Sequence, residues 1–416
     1  MRAERASGSL KASCFMDDTM TFPSISPVLA SAADTTPYSR SNPFLAELVR
    51  HDRLTELGSL KDTRHFVLKL DGSGLTYTPG DSLGTYGANS PALVDEVIGL
   101  LGFSQNAMVN DPQGRPTMLR QALLRSYTVN RANRKIMSAI AERIPQGEQR
   151  NRLMEIVDDS NSLGHYINTR DYVDILKEFD QARFESPAAF VAQLSPVTPR
   201  LYSIASSLDA HPGEAHLCVA VVRYDTHGRE KKGLASGFLA DHANMFVKNI
   251  PVYVQTSRTF RLPEDGARDI IMCGPGAGVA PFRAFVEQRI LEGARGRNWL
   301  FFGEQHRNTD FLYGDEWLNY QKQGKLHRLD LAFSRDQSHK IYVQHRMLEQ
   351  AKELWSWLQN GAYFYVCGDA RHMAKDVHQA LIDIAQKEGG LSAEAATGYV
   401  NVTLMKTEKR YLRDVY

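Results

Sequence analysis

The chain has 416 residues, enough for two or three domains that each bury a core, and its 43% hydrophobic and 23% charged residues are those of an ordinary globular protein. Lys plus Arg number 49 against 48 Asp plus Glu, so no net field points to nucleic acid or to an anionic membrane as a partner. The cysteines Cys14, Cys218, Cys273 and Cys367 are too scattered for a zinc knuckle, an iron–sulfur loop or a disulfide scaffold, so no metal site is expected and a reducing, cytoplasmic compartment is.

Residues 1–41 read as a flexible N-terminal tail, polar and rich in Ser, Thr, Ala and Pro, without the compact pattern of a secretory signal. No apolar run approaches the roughly 20 residues that span a bilayer, so membrane insertion is not expected. Residues 45–54 and 64–70 have strand texture, and Tyr77-Thr-Pro-Gly-Asp81 supplies a sharp turn. Two short strands and a turn suggest a small β-barrel or sandwich, and residues 42–90 are read as the first part of an antiparallel β-barrel. From 91 to 190 the period turns helical, at 91–103, in parts of 118–144, at 150–158 and at 172–190, which predicts a mostly helical connecting insertion. Strand texture returns at 200–207, 216–224 and 251–255, with a short helix within 232–242, so 191–264 reads as the second part of the interrupted barrel. Residues 265–416 alternate strands (269–273, 298–303, 327–334, 362–367) with helices (281–291, 313–323, 343–358, 370–386). That order predicts an α/β domain over 265–416 with a largely parallel sheet covered on both faces, an architecture whose ligands commonly sit beyond the carboxyl ends of the strands.

The loop Cys273-Gly-Pro-Gly-Ala-Gly-Val-Ala-Pro281 follows an apolar strand. Gly274, Gly276 and Gly278 let backbone approach a ligand, and the amides of the following helix can cradle a phosphate. It is not the usual GxGxxG, because Val279 or Pro281 stands where the third glycine would fall, and a tight structural turn needs the same residues. In Arg200-Leu-Tyr202-Ser203-Ile-Ala-Ser206-Ser207, Arg200 can meet a phosphate, Tyr202 offers a flat ring and Ser203 a hydroxyl. Strand alternation separates Ser203 from the other two, so a shared ligand requires a bend there; a surface arginine and a satisfied strand tyrosine are the alternative. Gly233-Leu234-Ala235-Ser236 is either a phosphate cradle at a helix start or a plain helix cap. After the 327–334 strand, Arg335 and Lys340 can neutralise a ribose phosphate, with Tyr342 supporting an adenine and Ser334 orienting it, an arrangement that favours NADPH over NADH; a solvated basic loop is equally consistent. Cys367, Asp414 and Tyr416 carry no chemistry when read singly.

RLYSIASS, GLASGFLA, CGPGAGVAPFRAF, FSRDQSHKIYVQ, YVCGDARHM and the terminal YLRDVY run in one order through residues 42–416. In that order the chain resembles the ferredoxin-NADP reductase-like module of the diflavin reductases, in particular the flavoprotein alpha component of NADPH-sulfite reductase. The resemblance implies FAD in the interrupted barrel, at Arg200, Tyr202, Ser203, Gly233, Leu234, Ala235 and Ser236 and along the strand of Cys218, Val219, Ala220 and Val221. It implies NADPH at Gly274, Pro275, Gly276, Ala277 and Gly278, with Ser334, Arg335, Lys340, Tyr342 and Gln344 at the 2′-phosphate end and Asp369 nearby. Ser203, Cys367 and Asp414 match the hydride-transfer cluster, and Tyr416 matches an aromatic that covers the flavin.

Two departures stand out. Ala277 occupies a place where relatives often have Thr, which removes a hydroxyl contact but keeps the backbone amides. The 41 residues before the match are too few for a flavodoxin-like unit of roughly 150 residues, so internal transfer from FAD to FMN is not expected. The implied function is an NADPH-dependent FAD oxidoreductase that exports electrons singly to a separate protein: a flavodoxin-like protein, a ferredoxin or the sulfite reductase haemoprotein. A stand-alone flavodoxin or ferredoxin reductase and a non-catalytic cofactor-binding assembly subunit are the alternatives.

Overall fold

The structure, a computed structural model, describes residues 37–416, so most of the expected tail lies outside the described residues. Residues 37–41 are held in place: Asn42 donates to the Pro37 carbonyl at 2.7 Å, the Tyr86 hydroxyl donates to the Arg40 carbonyl at 2.8 Å, and Tyr38 meets Phe44 edge-on.

Strands β1 (Phe44–Arg53) and β2 (Thr63–Lys69) pair antiparallel, with Phe44, Ala46 and Leu48 turned into the core at the two-residue period of a strand. The Tyr77–Asp81 turn then enters β3 (Ser82–Thr85), whose four residues SLGT carry too little β-branched or aromatic character to announce a strand. Gly80 has φ +99° and a Cβ there would lie 1.9 Å from the Phe260 carbonyl oxygen, so only glycine fits the turn. Asp81 closes it, accepting from Thr78 N and Ser257 N, both at 2.8 Å.

The insertion is mostly helical, as expected. Its helices Pro91–Leu101, Arg134–Arg143, Glu148–Asp158 and Tyr172–Glu178 pack around a core that includes Val94, Leu123, Ile140, Tyr172 and Phe190. A small hairpin of β4 (Met108–Asn110) and β5 (Pro116–Met118) interrupts it. The chain returns through β6 (Arg200–Ser203) and β7 (Glu214–Ala220), a second hairpin of β8 (Arg223–Thr226) and β9 (Arg229–Lys232), and β10 (Lys248–Gln255).

Strands from before and after the insertion interleave in one antiparallel sheet of order β6-β3-β10-β1-β2-β7. The barrel expectation is met only in part. Edge strands β6 and β7 are joined by a single bridge, Ile204 to Leu217, with Ala205 N donating to His216 O at 2.8 Å, and not by a continuous ladder.

The second sheet is parallel, with β11 (Ile270–Cys273), β12 (Asn298–Glu304), β13 (Arg328–Phe333), β14 (Tyr363–Gly368) and β15 (Tyr411–Val415) in the order β13-β12-β11-β14-β15. Strands β11 and β12 are buried throughout because helices cover both faces. The chain runs outward from β11 on one side and returns to β14 on the other, which opens a crevice at the carboxyl ends of those two strands. No helix among the described residues is long and apolar enough to cross a membrane.

The β8–β9 hairpin is fastened to the insertion by a buried charge network. Lys231 reaches Asp171 at 2.8 Å and Asp174 at 2.5 Å, and Arg229 meets the same pair at 2.7 and 3.0 Å. The two aspartates also form the capping box of helix Tyr172–Glu178. Burial works to raise the Asp174 pKa, but hydrogen bonds from Lys231, the Asp171 amide and Arg229 outweigh it and the net shift is downward. Its stabilising contribution is therefore complete above the unfolded carboxyl value, about 3.9, and is lost as pH falls through the folded value. Replacing Lys231 by Met leaves two buried carboxylates to Arg229 alone, and urea unfolding should show a loss of about 3 kcal/mol. A loss below about 0.5 kcal/mol would show the network to be idle.

Candidate functional site

The glycine loop lies on the crevice between β11 and β14. A Cβ on Gly278 would come within 2.3 Å of the Cys367 carbonyl oxygen and one on Gly274 within 2.6 Å of the Gly278 oxygen, so the loop is pressed against the end of β14. Gly276 has φ +58°, which opens one turn of 3-10 helix, Gly276–Val279, into helix Ala280–Leu291. Gly278 N donates to Pro275 O at 3.2 Å and Ala280 N to Ala277 O, so the amides left to a ligand at the positive end of this helical segment are those of Gly276 and Ala277. Beside the loop is a cavity of about 650 Å³ whose wall includes Val221, Gly276, Gly278, Gly368, Asp369 and Tyr416. Both sheets therefore contribute to it.

Next to this cavity the structure gathers Ser203, Cys367 and Asp414. Strand register sets Asp414 directly across from Cys367. The Ser203 hydroxyl, arriving from the antiparallel sheet, donates to Asp414 Oδ2 at 2.8 Å, and the Cys367 thiol lies 3.8 Å from the same oxygen. Burial first, and then the Asp414 charge, pushes the Cys367 pKa well above the ordinary thiol value, so this sulfur stays protonated. Tyr416 lies at the same place: its amide donates to Gly368 O and its carbonyl accepts from Ala370 N, both at 3.1 Å, and the residue as a whole is 59% exposed.

The remaining predicted residues fall into several groups. Arg200 is exposed on β6 opposite Thr85, and Tyr202 is half-buried opposite Leu83. Thr85 Oγ1 is buried beside them without a hydrogen-bond partner among the described residues, a polar atom that suits a polar ligand at this edge. Cys218 and Val219 belong to the protein core, with the Cys218 thiol pushed up to about 12 by burial, whereas Ala220 and Val221 line the cavity. Ser236 Oγ is buried and accepts from Val222 N at 3.2 Å, while Gly233 N donates to Val222 O at 3.0 Å and Gly233 O accepts from Gly237 N at 2.8 Å, so the amides this turn can offer a ligand are those of Leu234 and Ala235.

Pro275 and Ala277 line the cavity with the glycines. The Asp369 carboxyl accepts from His372 N at 2.7 Å and Met373 N at 3.1 Å, caps the start of helix Met373–Gly389, and has its pKa lowered by those amides. Ser334, Arg335, Lys340, Tyr342 and Gln344 do not line this cavity. They follow β13, two strands away from β11, where Ser334 N and Arg335 N donate to Glu304 O and Gln305 O at 2.9 Å. Arg335 and Lys340 are exposed and, among the described residues, make no ion pair, while Gln344 donates to Asp376 at 3.1 Å.

Among the wall residues that went unpredicted are a cation and an anion that face each other. Lys61 and Glu304 both line the cavity and pair with each other across the two sheets. The available signal was a glutamate ending the otherwise apolar strand NWLFFGE, whose carboxyl must find a buried partner. Lys61 sits in a loop whose course sequence pattern does not determine.

The fit to a flavin and a dinucleotide rests on three features: a glycine loop whose shape excludes side chains, a cavity shared by the two sheets, and the orphan hydroxyl of Thr85. Comparison with known families agrees. Residues 36–238 match the FAD binding domain family and residues 272–379 the oxidoreductase NAD-binding domain family.

Among curated proteins, the chain is 45% identical over 391 residues to the sulfite reductase [NADPH] flavoprotein alpha-component of Bacillus subtilis, covering 94% of this chain and 64% of that protein. It is 45% identical over 396 residues to the protein of the same name from Zymomonas mobilis, covering 94% of this chain and 63% of the relative. For the Escherichia coli O157:H7 protein of that name the identity is 44% over 384 residues, covering 92% and 62%. The chain thus spans rather less than two thirds of the length of the curated relatives it matches. With both matches in order along one chain, it joins an FAD binding domain to an oxidoreductase NAD-binding domain and is a close homologue of the stretch of these alpha-components that it matches.

Proposed function

We propose that this chain oxidises NADPH and passes the electrons singly, through FAD, to a separate redox protein, as a component of a sulfite-reducing system. The observation that carries the reading is the meeting of Ser203, Cys367 and Asp414 at the crevice, where the antiparallel and parallel sheets touch. In this reading residues 42–90 and 191–264 form the FAD domain, a barrel completed at the Ile204–Leu217 bridge; 91–190 is its connecting insertion and 265–416 binds NADPH. The relatives' names support sulfite reductase haemoprotein as the acceptor; a flavodoxin-like protein or a ferredoxin fits the same export chemistry. Three buried free thiols, Cys218, Cys273 and Cys367, suit a cytoplasmic location.

FAD, when bound, supplies the redox chemistry, accepting a hydride from NADPH and releasing electrons one at a time. The chain's part is binding and geometry. Arg200, Tyr202, the Leu234 and Ala235 amides and the Ala220–Val221 end of β7 hold FAD. The glycine loop Gly274–Gly278 receives the diphosphate of NADPH, with the Gly276 and Ala277 amides as its donors. Arg335 and Lys340 take the 2′-phosphate, with Ser334, Tyr342 and Gln344 orienting the adenosine. Asp369 keeps the turn after β14 in shape, and Tyr416 would cover the flavin and yield to nicotinamide.

At the reacting centre, Asp414 fixes the rotamer of Ser203 by accepting its proton in a hydrogen bond. It sets Cys367 as a neutral, polarisable wall for the nicotinamide. No group here serves as a general base, because hydride transfer leaves no acidic proton to remove.

Anaerobic mixing of the FAD-loaded chain with NADPH should bleach the flavin promptly. No bleaching with verified FAD occupancy would reject the reductase reading. Ser203→Ala should keep FAD and fold yet slow that bleaching by about 100-fold, because the hydroxyl acts on the transition state and not on binding; an unchanged rate removes the role given to Ser203.

Replacing Arg335 and Lys340 together by Ala should cut the preference for NADPH over NADH by about 100-fold, since each charge-assisted contact is worth roughly 1.5–3 kcal/mol before solvent screening. An unchanged ratio of kcat/KM values would move the 2′-phosphate elsewhere.

A further inference from the structure

We propose that Lys61 binds the diphosphate of the dinucleotide directly and that Glu304 competes for it, so that the pair sets how tightly nucleotide is held and how readily it leaves. The inference rests on the nucleotide site proposed above. Lys61 comes from the loop between β1 and β2, and Glu304 ends β12, so the contact crosses from one sheet to the other. Its ammonium lies 2.5 and 2.8 Å from the two carboxyl oxygens of Glu304. The Glu304 side chain is 4% exposed and that of Lys61 39%, so the carboxyl depends on this cation for charge compensation while the cation also reaches solvent.

The carboxyl stands at the glycine loop itself. A Cβ on Gly276 would lie 3.2 Å from Glu304 Oε1, which places a fixed negative charge beside backbone shaped to receive a phosphate. Glu304 is further fixed by the Gln305 amide at 2.8 Å. The backbone of Lys61 is equally fixed, because Thr55 Oγ1 and Arg53 donate to its carbonyl at 3.0 and 3.2 Å and its amide donates to Ser59 Oγ at 2.9 Å. The loop is fastened to the parallel-sheet side by Glu56 N on Thr309 O at 2.8 Å and by Ser59 on Asp310. What can move is the flexible stem of Lys61, which carries a compact charge suited to leaving one anion for another.

The other charges on this wall are already engaged or lack a counter-ion. Asp62 is held by Arg64 and Arg223, Asp369 by helix amides, and Arg53 has no carboxylate partner among the described residues. Glu304 is therefore the carboxyl that faces the loop with a single cation to compensate it. A diphosphate arriving there draws Lys61 away and meets the repulsion of Glu304, so full affinity is held back. For an enzyme that must release oxidised nucleotide each turnover, that restraint shortens the residence of product.

Calorimetric titration of the FAD-loaded full chain with NADP⁺, and in parallel with 2′-AMP, tests this. 2′-AMP carries the 2′-phosphate end without a diphosphate. Glu304→Gln should tighten NADP⁺ by about 5-fold and Lys61→Ala should weaken it by about 10-fold, with 2′-AMP within 2-fold of wild type in both. Lys61→Ala should still weaken NADP⁺ in the Glu304→Gln background, and Lys61→Arg should restore most of the affinity.

If the Lys61 effect vanishes once Glu304 is neutral, Lys61 merely compensates Glu304 and direct binding is overturned. Equal losses for 2′-AMP and NADP⁺ would point to general damage and overturn it as well. Failure of the wild-type chain to bind either nucleotide would instead sink the nucleotide site itself.

Discussion

The site depends on one carboxyl group being in one place. Asp414 lies on β15, an edge strand at the chain's end, and a slip of one residue in its pairing would turn the side chain to the other face of the sheet. The register is secured one turn of pleat earlier: Tyr411 is buried against Phe364, and the Arg410 guanidinium donates to Ala362 O at 2.6 Å and Leu358 O at 3.2 Å. Those anchors deliver Asp414 to the position across from Cys367, where Ser203 of the other sheet can reach it. A short edge strand thus joins the two sheets at the crevice.

That contact needs the sheets to keep a fixed separation, and a polar seam maintains it. Arg283 donates to Ala205 O at 2.7 Å, Ser207 N donates to Glu287 at 2.9 Å, and Ser207 Oγ bonds Gln288, so helix Ala280–Leu291 grips the chain just beyond β6. Burial acts to lower the Arg283 pKa, but Glu316 and Glu287 prevail and the net shift is upward, which keeps this cation charged. On the other flank, Arg261 meets Asp81 at 2.5 Å and the Tyr365 hydroxyl donates to Arg261 O at 2.7 Å. Because the buried groups of this seam are paired, it orients the sheets without a large desolvation penalty. RLYSIASS therefore serves twice: Ser203 reaches the crevice, and Ala205 to Ser207 hold the seam.

The alternation of apolar strands and helices after residue 265 was legible because parallel strands buried on both faces read as continuous hydrophobic runs. The helical insertion was legible from its period. What escaped was set by tertiary context. β15 reads YLRDV, with Arg and Asp in a strand, and forms because β14 offers it a free edge. β8 and β9 read RYDT and REKK, a hairpin whose charges make sense only against Asp171 and Asp174 some 60 residues away. At the site, the glycine loop was visible locally. The burial of Ser236, the use of Asp369 as a helix cap and the Lys61–Glu304 pair each depend on a partner that no local pattern names.

The distribution of exposure separates what is fixed from what adapts. Cys367 is fully buried, and its neighbour Asp414 is held by a strand ladder and a hydroxyl, so this geometry is established before any ligand arrives. Arg335, Lys340, Tyr342 and Tyr416 are exposed residues, and the Lys61 side chain is partly so. A reaction with tight geometric demands gains from the first arrangement, because ordering the reacting groups then costs nothing at the moment of binding. A long, highly charged ligand that must enter and leave gains from the second, because its outer contacts can form and break one at a time without disturbing the sheets. The boundary between the two regimes runs along the glycine loop, whose backbone is pressed rigidly on β14 on one side and faces the open cavity on the other.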